Sequence, residues 1–187
     1  GYSSAASDVY KRQEDAFSAH GKRAFIMSHV LDMTGAPIVL VSAVPVLRSM
    51  GYEVLVLGPS DGGSLHLFLD AGASVITRSS CRNVSDAWGM ALCADFVIAN
   101  TVVMARAVRA LSGTAVPVLW WLHDAFAGYP HIAHQIPTQL GENVRVYSVG
   151  SHAANAMRAV RPEFEIRPLI YGLPDYAAEN FVRTDLG

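Results

Sequence analysis

Charge is scarce and nearly balanced: 14 Lys and Arg stand against 16 Asp and Glu in 187 residues, a formal net charge of −2. Nucleic-acid binders and proteins held on anionic membranes carry a basic stripe or patch. This balance offers none, so no nucleic-acid partner is expected and peripheral membrane contact is not indicated. Cysteine is rarer still. Cys81 and Cys93 do not form a short metal-ligand spacing, and two free thiols are the expectation over a single bridge. No apolar run approaches the ~20 residues that cross a bilayer, and the start lacks the charged-then-apolar pattern of a signal peptide. Two phosphate-binding fingerprints are missing as well: no G-x-G-x-x-G follows a strand, and there is no G-x-x-x-x-G-K-[ST] loop. What remains fits a cytoplasmic protein with one sizeable core, since 51% of the residues are hydrophobic and one domain takes roughly 100–200 residues.

Residues 1–23 are polar and small, without a lasting apolar period. The string Ser7-Asp8-Val9-Tyr10-Lys11-Arg12-Gln13 resembles translated adapter sequence, so this stretch is read as an N-terminal extension of non-native origin, against the plainer reading of an ordinary extension. From Ala24 a rhythm sets in. Apolar runs recur at Ala24–Met27, Val54–Leu57, Ala73–Ile76, Phe96–Ala99, Val116–Leu122, Val144–Val149 and Leu169–Tyr171. Most are β-branched or aromatic and do not alternate, as strands buried on both faces should read. Helical patterns separate them: Thr101 is placed to cap a helix through Ser112 with Gly113 as its stop, and Ser151 to cap one through Val160. Strand and helix in alternation predict an α/β fold, a doubly wound and mainly parallel sheet of six or seven strands. Residues 24–175 are the expected Rossmann-like domain, with 176–187 beginning a linker.

Ligands of such sheets sit outside the carboxyl ends of the strands, where strand order reverses. The first such loop is Ser28-His29-Val30-Leu31-Asp32-Met33-Thr34-Gly35-Ala36-Pro37. Thr34 or Gly35 begins a helix there, and Pro37 suits its first turn. A small-residue turn at a helix start admits a phosphate to backbone N–H groups; a tight turn that binds nothing explains the residues equally. Pro45 falls inside the helix and predicts a kink. His123 ends a very apolar strand, with Asp124 beside it; Asp124 is open to orienting the ring, accepting from a hydroxyl or capping the next loop. Asn100 and Thr101 end the fourth strand. His131 and His134 share a helical interval, yet nothing nearby completes a metal signature, so no metal is expected. Trp120 and Trp121 point to opposite faces of a strand and are read as core.

Several blocks together resemble one family. Ser28-His29, then Thr34-Gly35-Ala36-Pro37, a buried helix and Gly51-Tyr52-Glu53-Val54 look like the opening of the retaining GT-B glycosyltransferases, and more closely glycosyltransferase family 4. Asp95–Asn100, Val116–Asp124, Val146–Val149 before Ser151, and Ile170-Tyr171-Gly172-Leu173-Pro174-Asp175 follow in order. The family's first loop often carries Gly-Gly, where this chain has Gly35-Ala36. The resemblance implies the N-terminal half of a GT-B fold, binding mainly acceptor, while a C-terminal donor domain holds most of the nucleotide sugar. It implies that His123 contacts the donor sugar near the anomeric centre and that Asp124 acts beside it. Thr34, Gly35, Ala36, Asn100, Thr101, Ser151 and Gly172, all at the carboxyl edge, are the candidate substrate-binding residues. Transfer from a nucleotide-diphosphate sugar to a hydroxyl of a sugar, lipid-linked or small-molecule acceptor would follow from the resemblance, with retention and with neither cofactor nor metal. This half alone is expected to be nearly silent. Two other readings stay open: a nucleotide-sugar 2-epimerase-like half, and a non-catalytic flavodoxin-like binding domain.

Overall fold

A computed structural model describes residues 21–79, 81, 86–125, 127 and 129–172. Seven strands form one sheet in the order β3-β2-β1-β4-β5-β6-β7: β1 (Lys22–Met27), β2 (Tyr52–Gly58), β3 (Ser74–Thr77), β4 (Phe96–Asn100), β5 (Val118–Leu122), β6 (Val144–Ser148) and β7 (Ile166–Pro168). Every adjacent pair is parallel. The helices among the described residues are α1 (Gly35–Ser49), α2 (Leu65–Asp70), α3 (Asp86–Gly89), α4 (Ala105–Leu111), α5 (Tyr129–Ile132) and α6 (Ser151–Val160). The chain runs outward from β1 to β3, then returns to lay β4 against the free side of β1. That reversal puts the switch point between β1 and β4, and all strand ends on one edge.

The missing alternation in the strands has its cause in two cores, one on each sheet face. Phe25, Met27, Val97, Ala99, Val118, Trp120 and Leu122 face α4 and α6, packing with Val108 and Met157. Ala24, Ile26, Val54, Val56, Ile98 and Trp121 face α1, under Val39, Leu40, Val44 and Leu47. Trp120 and Trp121 thus divide between the cores as expected for neighbours in a strand. Leu40 and Val44 are fully buried, each contributing about 1.5–3 kcal/mol relative to exposure. The second core holds α1 against β1 and so fixes the loop between them.

Several expectations shift. The last strand is Ile166–Pro168 rather than Leu169–Tyr171; Phe164 and Ile166 supply the buried anchors, while Ile170 is 77% exposed. The helix after β4 begins as a 3₁₀ turn, Val102–Met104, before α4, and Gly113 follows it with φ 82°, the left-handed conformation that ends helices. Helix α6 is capped by Gly150, and Ser151 is its first residue rather than its cap. Pro45 sits on the exposed side of α1, which continues through it to Ser49. His131 lies in α5 while His134 lies in the next 3₁₀ turn, so the two share no continuous α-helix. Among the described residues no three His, Cys, Asp or Glu cluster as metal ligands, and no helix is long and apolar enough to cross a membrane. The string Ser7–Gln13 and Leu173–Asp175 lie outside the described residues.

Candidate functional site at the sheet switch point

Strand alternation decides which residues meet at the edge. On β4, Ile98 faces α1, and so Asn100 does too; on β5, Trp121 faces α1, and so does His123, two residues on. Asn100 and Trp121 are register partners. The switch point thereby receives Asn100 and His123 on one face, beside Ser28 and His29 leaving β1.

His123 is half-buried against Trp121, with ring centroids 4.9 Å apart and a tilt of 54°. Its Nε2 is buried and has no hydrogen-bond partner. Burial, aided by repulsion from His29, pushes its pKa down from 6.5 to about 4, so the ring is a neutral imidazole near pH 7. Trp121 also stands edge-on to Tyr171 at 6.4 Å, which brings the segment ahead of Gly172 beside the same rings. Asn100 is wholly buried, and neither its carboxamide nitrogen nor its oxygen finds a partner. Each such orphan costs about 1–3 kcal/mol.

Asp124 does something the sequence did not disclose. Its carboxylate accepts a 2.6 Å bond from the N–H of Val102, capping the turn that leaves β4, 22 residues upstream. Burial raises its pKa, against the backbone bonds that lower it. Thr101 performs the capping foreseen for it, since its hydroxyl accepts from the Val103 N–H at 3.3 Å. Yet Thr101 itself has φ 70° and ψ 168°, a strained conformation for a β-branched residue, worth on the order of 1–3 kcal/mol.

The β1–α1 turn lies on the same edge but is built differently. Thr34 and Gly35 are exposed and Ala36 half-buried. Both the N–H and the hydroxyl of Thr34 donate to Asp32, at 3.1 and 2.5 Å; with these bonds the leading cause, Asp32 has a lowered pKa. A Cβ on Gly35 would touch nothing within 4 Å. Gly62, by contrast, is forced: a Cβ would come within 2.1 Å of the Leu31 carbonyl oxygen. The Ser64 N–H donates to the Leu31 carbonyl at 2.9 Å, so the β2–α2 loop braces the β1–α1 loop. Ser151, opening α6, and Gly172, after β7, are exposed.

Two further residues beside the site carry no assigned role in the sequence. His29 follows β1 by two residues, and that place at the strand's end is its signal. Tyr129, the first residue of α5, is fully buried with its hydroxyl unpartnered, and burial, reinforced by Asp124, pushes its pKa up.

The model of the family described as Glycosyl-transferase family 4 matches residues 20–161. The chain belongs to glycosyltransferase family 4. Its sheet is the Rossmann-like N-terminal half of a GT-B fold. Among solved structures, an α-glucosyltransferase in complex with UDP and a 13-mer DNA containing an HMU base is similar with a TM-score of 0.54 at 10% identity, over 80% of this chain and 42% of that one. The family 4 chain therefore spans less than half the length of that enzyme. MurG of Acinetobacter baumannii gives a TM-score of 0.40 at 13% identity, over 84% of this chain and 70% of its own. No curated protein matches the sequence.

Proposed function

We propose that residues 24–175 are the acceptor-side domain of an enzyme that moves a sugar from a nucleotide-diphosphate donor to an acceptor hydroxyl, with retention, in the cytoplasm. The observation that carries this reading is the pair of orphaned polar groups at the switch point, His123 Nε2 and the Asn100 carboxamide. A neutral imidazole offers one donor or acceptor at each nitrogen, and a carboxamide offers both kinds. Those are the partners a sugar hydroxyl needs, since it donates and accepts at once. His123 would steady the donor sugar near its anomeric centre, where charge develops, and Asn100 with Thr101 would meet the acceptor. Thr34, Gly35, Ala36, Ser151 and Gly172 would line the outer cleft. The nucleotide would be held chiefly by a second domain, reached through residues 176–187. The domain alone would be close to silent, because positioning the donor supplies much of the barrier reduction. The UDP in the similar α-glucosyltransferase agrees with a nucleotide-diphosphate donor.

The test is His123→Ala in an enzyme carrying this domain together with a donor-binding domain. Turnover should fall about 10²–10³-fold, the loss expected for one well-placed transition-state donor, while the fold survives. Near-normal turnover in a well-folded variant would remove His123 from the site.

A further inference from the structure

Thr101 is the one non-glycine residue with positive φ among the described residues, and such strain persists only where neighbours over-determine it. The neighbours come from β5 and the residues just after it. The Thr101 N–H donates to the Trp121 carbonyl at 2.8 Å, a ladder bond that any residue could make. The other two contacts depend on side chains. The Trp120 indole N–H donates to the Thr101 carbonyl at 2.8 Å, and the Asp124 carboxylate accepts from the Val102 N–H at 2.6 Å. The carbonyl of Thr101 and the N–H of Val102 belong to one peptide group. It is gripped at both ends, and flipping it would turn a carbonyl toward a carboxylate.

We propose that Asp124 is a positioning residue. With the Trp120 indole it clamps the Thr101–Val102 peptide and, through Thr101, holds the Asn100 carboxamide at the switch point for a sugar hydroxyl. This rests on the reading of Asn100 given above. The bond ties the carboxylate to a turn 22 residues away in sequence. The carboxylate makes the clamp stronger than an amide could, because bonds to an ionised acceptor are roughly twice as strong.

The test uses the 187-residue chain and needs no ligand. In Asp124→Ala the side-chain amide resonances of Asn100 and the indole N–H of Trp120 should move, because the strained turn relaxes. In Thr101→Gly/Asp124→Ala they should move little, since glycine stores no strain to drive the change. For the same reason Asp124→Ala should lower Tm less beside Thr101 than beside Gly, by about 2–8 °C. Additive Tm losses, or unmoved Asn100 and Trp120 resonances in Asp124→Ala, would overturn the clamp. Should Asp124→Ala not fold, Asp124→Asn decides: the weaker neutral acceptor should shift the Val102 amide proton upfield, and an unchanged shift overturns the proposal. Failure of the sugar reading is separable. It would appear as an unchanged acceptor KM for Asn100→Ala in the two-domain enzyme while the clamp signatures persist.

Discussion

Two turns leave the same sheet edge and have opposite characters. The β1–α1 turn is exposed, its threonine satisfied by Asp32, and its glycine has room on every side. The turn after β4 is buried, carries a strained threonine and exposes the two orphaned ends of Asn100 to no partner. The first turn has the composition usually associated with ligand loops, while the second has the energetics. Stability is spent at the β4 turn, and unsatisfied groups and strain of this kind gather where a ligand repays them.

The largest structural effect that sharpens the contrast is expected at Gly62, which couples the relaxed turn to its neighbour. Gly62→Ala would drive a Cβ into the backbone of Leu31. Such overpacking costs about 1–3 kcal/mol, and calorimetric melting should show Tm lower by about 3–10 °C. An unchanged Tm would mean that the two loops are not braced. Next comes Asn100→Leu, which replaces two orphaned polar atoms with an apolar group of similar size. If the amide is held for a ligand, Tm should rise by about 3–8 °C while turnover of the two-domain enzyme falls. A fall in both would make Asn100 a structural group instead.

Much of this was legible in the residues. The β-branched runs gave the sheet, because strands buried on both faces need no alternation. The carboxyl-edge rule singled out Asn100, Thr101 and His123, since each directly follows an apolar run. What stayed hidden depended on distant partners. Nothing near Asp124 in sequence says that its carboxylate reaches Val102, and nothing near Thr101 announces positive φ, which an indole on β5 and a carboxylate just after it impose. The last strand was misplaced because Leu169-Ile170-Tyr171 is apolar, yet its members are rim residues. Phe164 and Ile166 supply the buried positions, in a segment whose charges obscure it.

A smaller effect concerns pH. His123 has its folded pKa pushed below the ordinary 6.5, to about 4. The unfolded chain therefore binds the extra proton first, and stability falls as pH drops from about 6.5 toward 4. Asp124, with its pKa raised, acts in the opposite sense, so the informative quantity is a difference. His123→Ala should melt with a shallower acid dependence across that window than the unsubstituted chain. Parallel curves would show that the imidazole titrates normally and that its surroundings are wetter than the burial implies.

The smallest effect tests the exposed turn. Gly35 is the first residue of α1, its φ is not in the left-handed region, and a Cβ there meets nothing. Gly35→Ala should therefore stabilise by about 0.5–1 kcal/mol, because alanine loses less backbone freedom on folding. That corresponds to a Tm gain of about 1–4 °C. The same methyl would stand over the first N–H groups of the helix, where a phosphate or sugar would approach. With turnover and KM unaltered in the two-domain enzyme, the turn would be a relaxed connection and the β4 corner the working side of the edge. A raised KM beside a raised Tm would restore the turn to the site. The contrast between the two turns would then be one between a ligand contact kept loose and another held under strain.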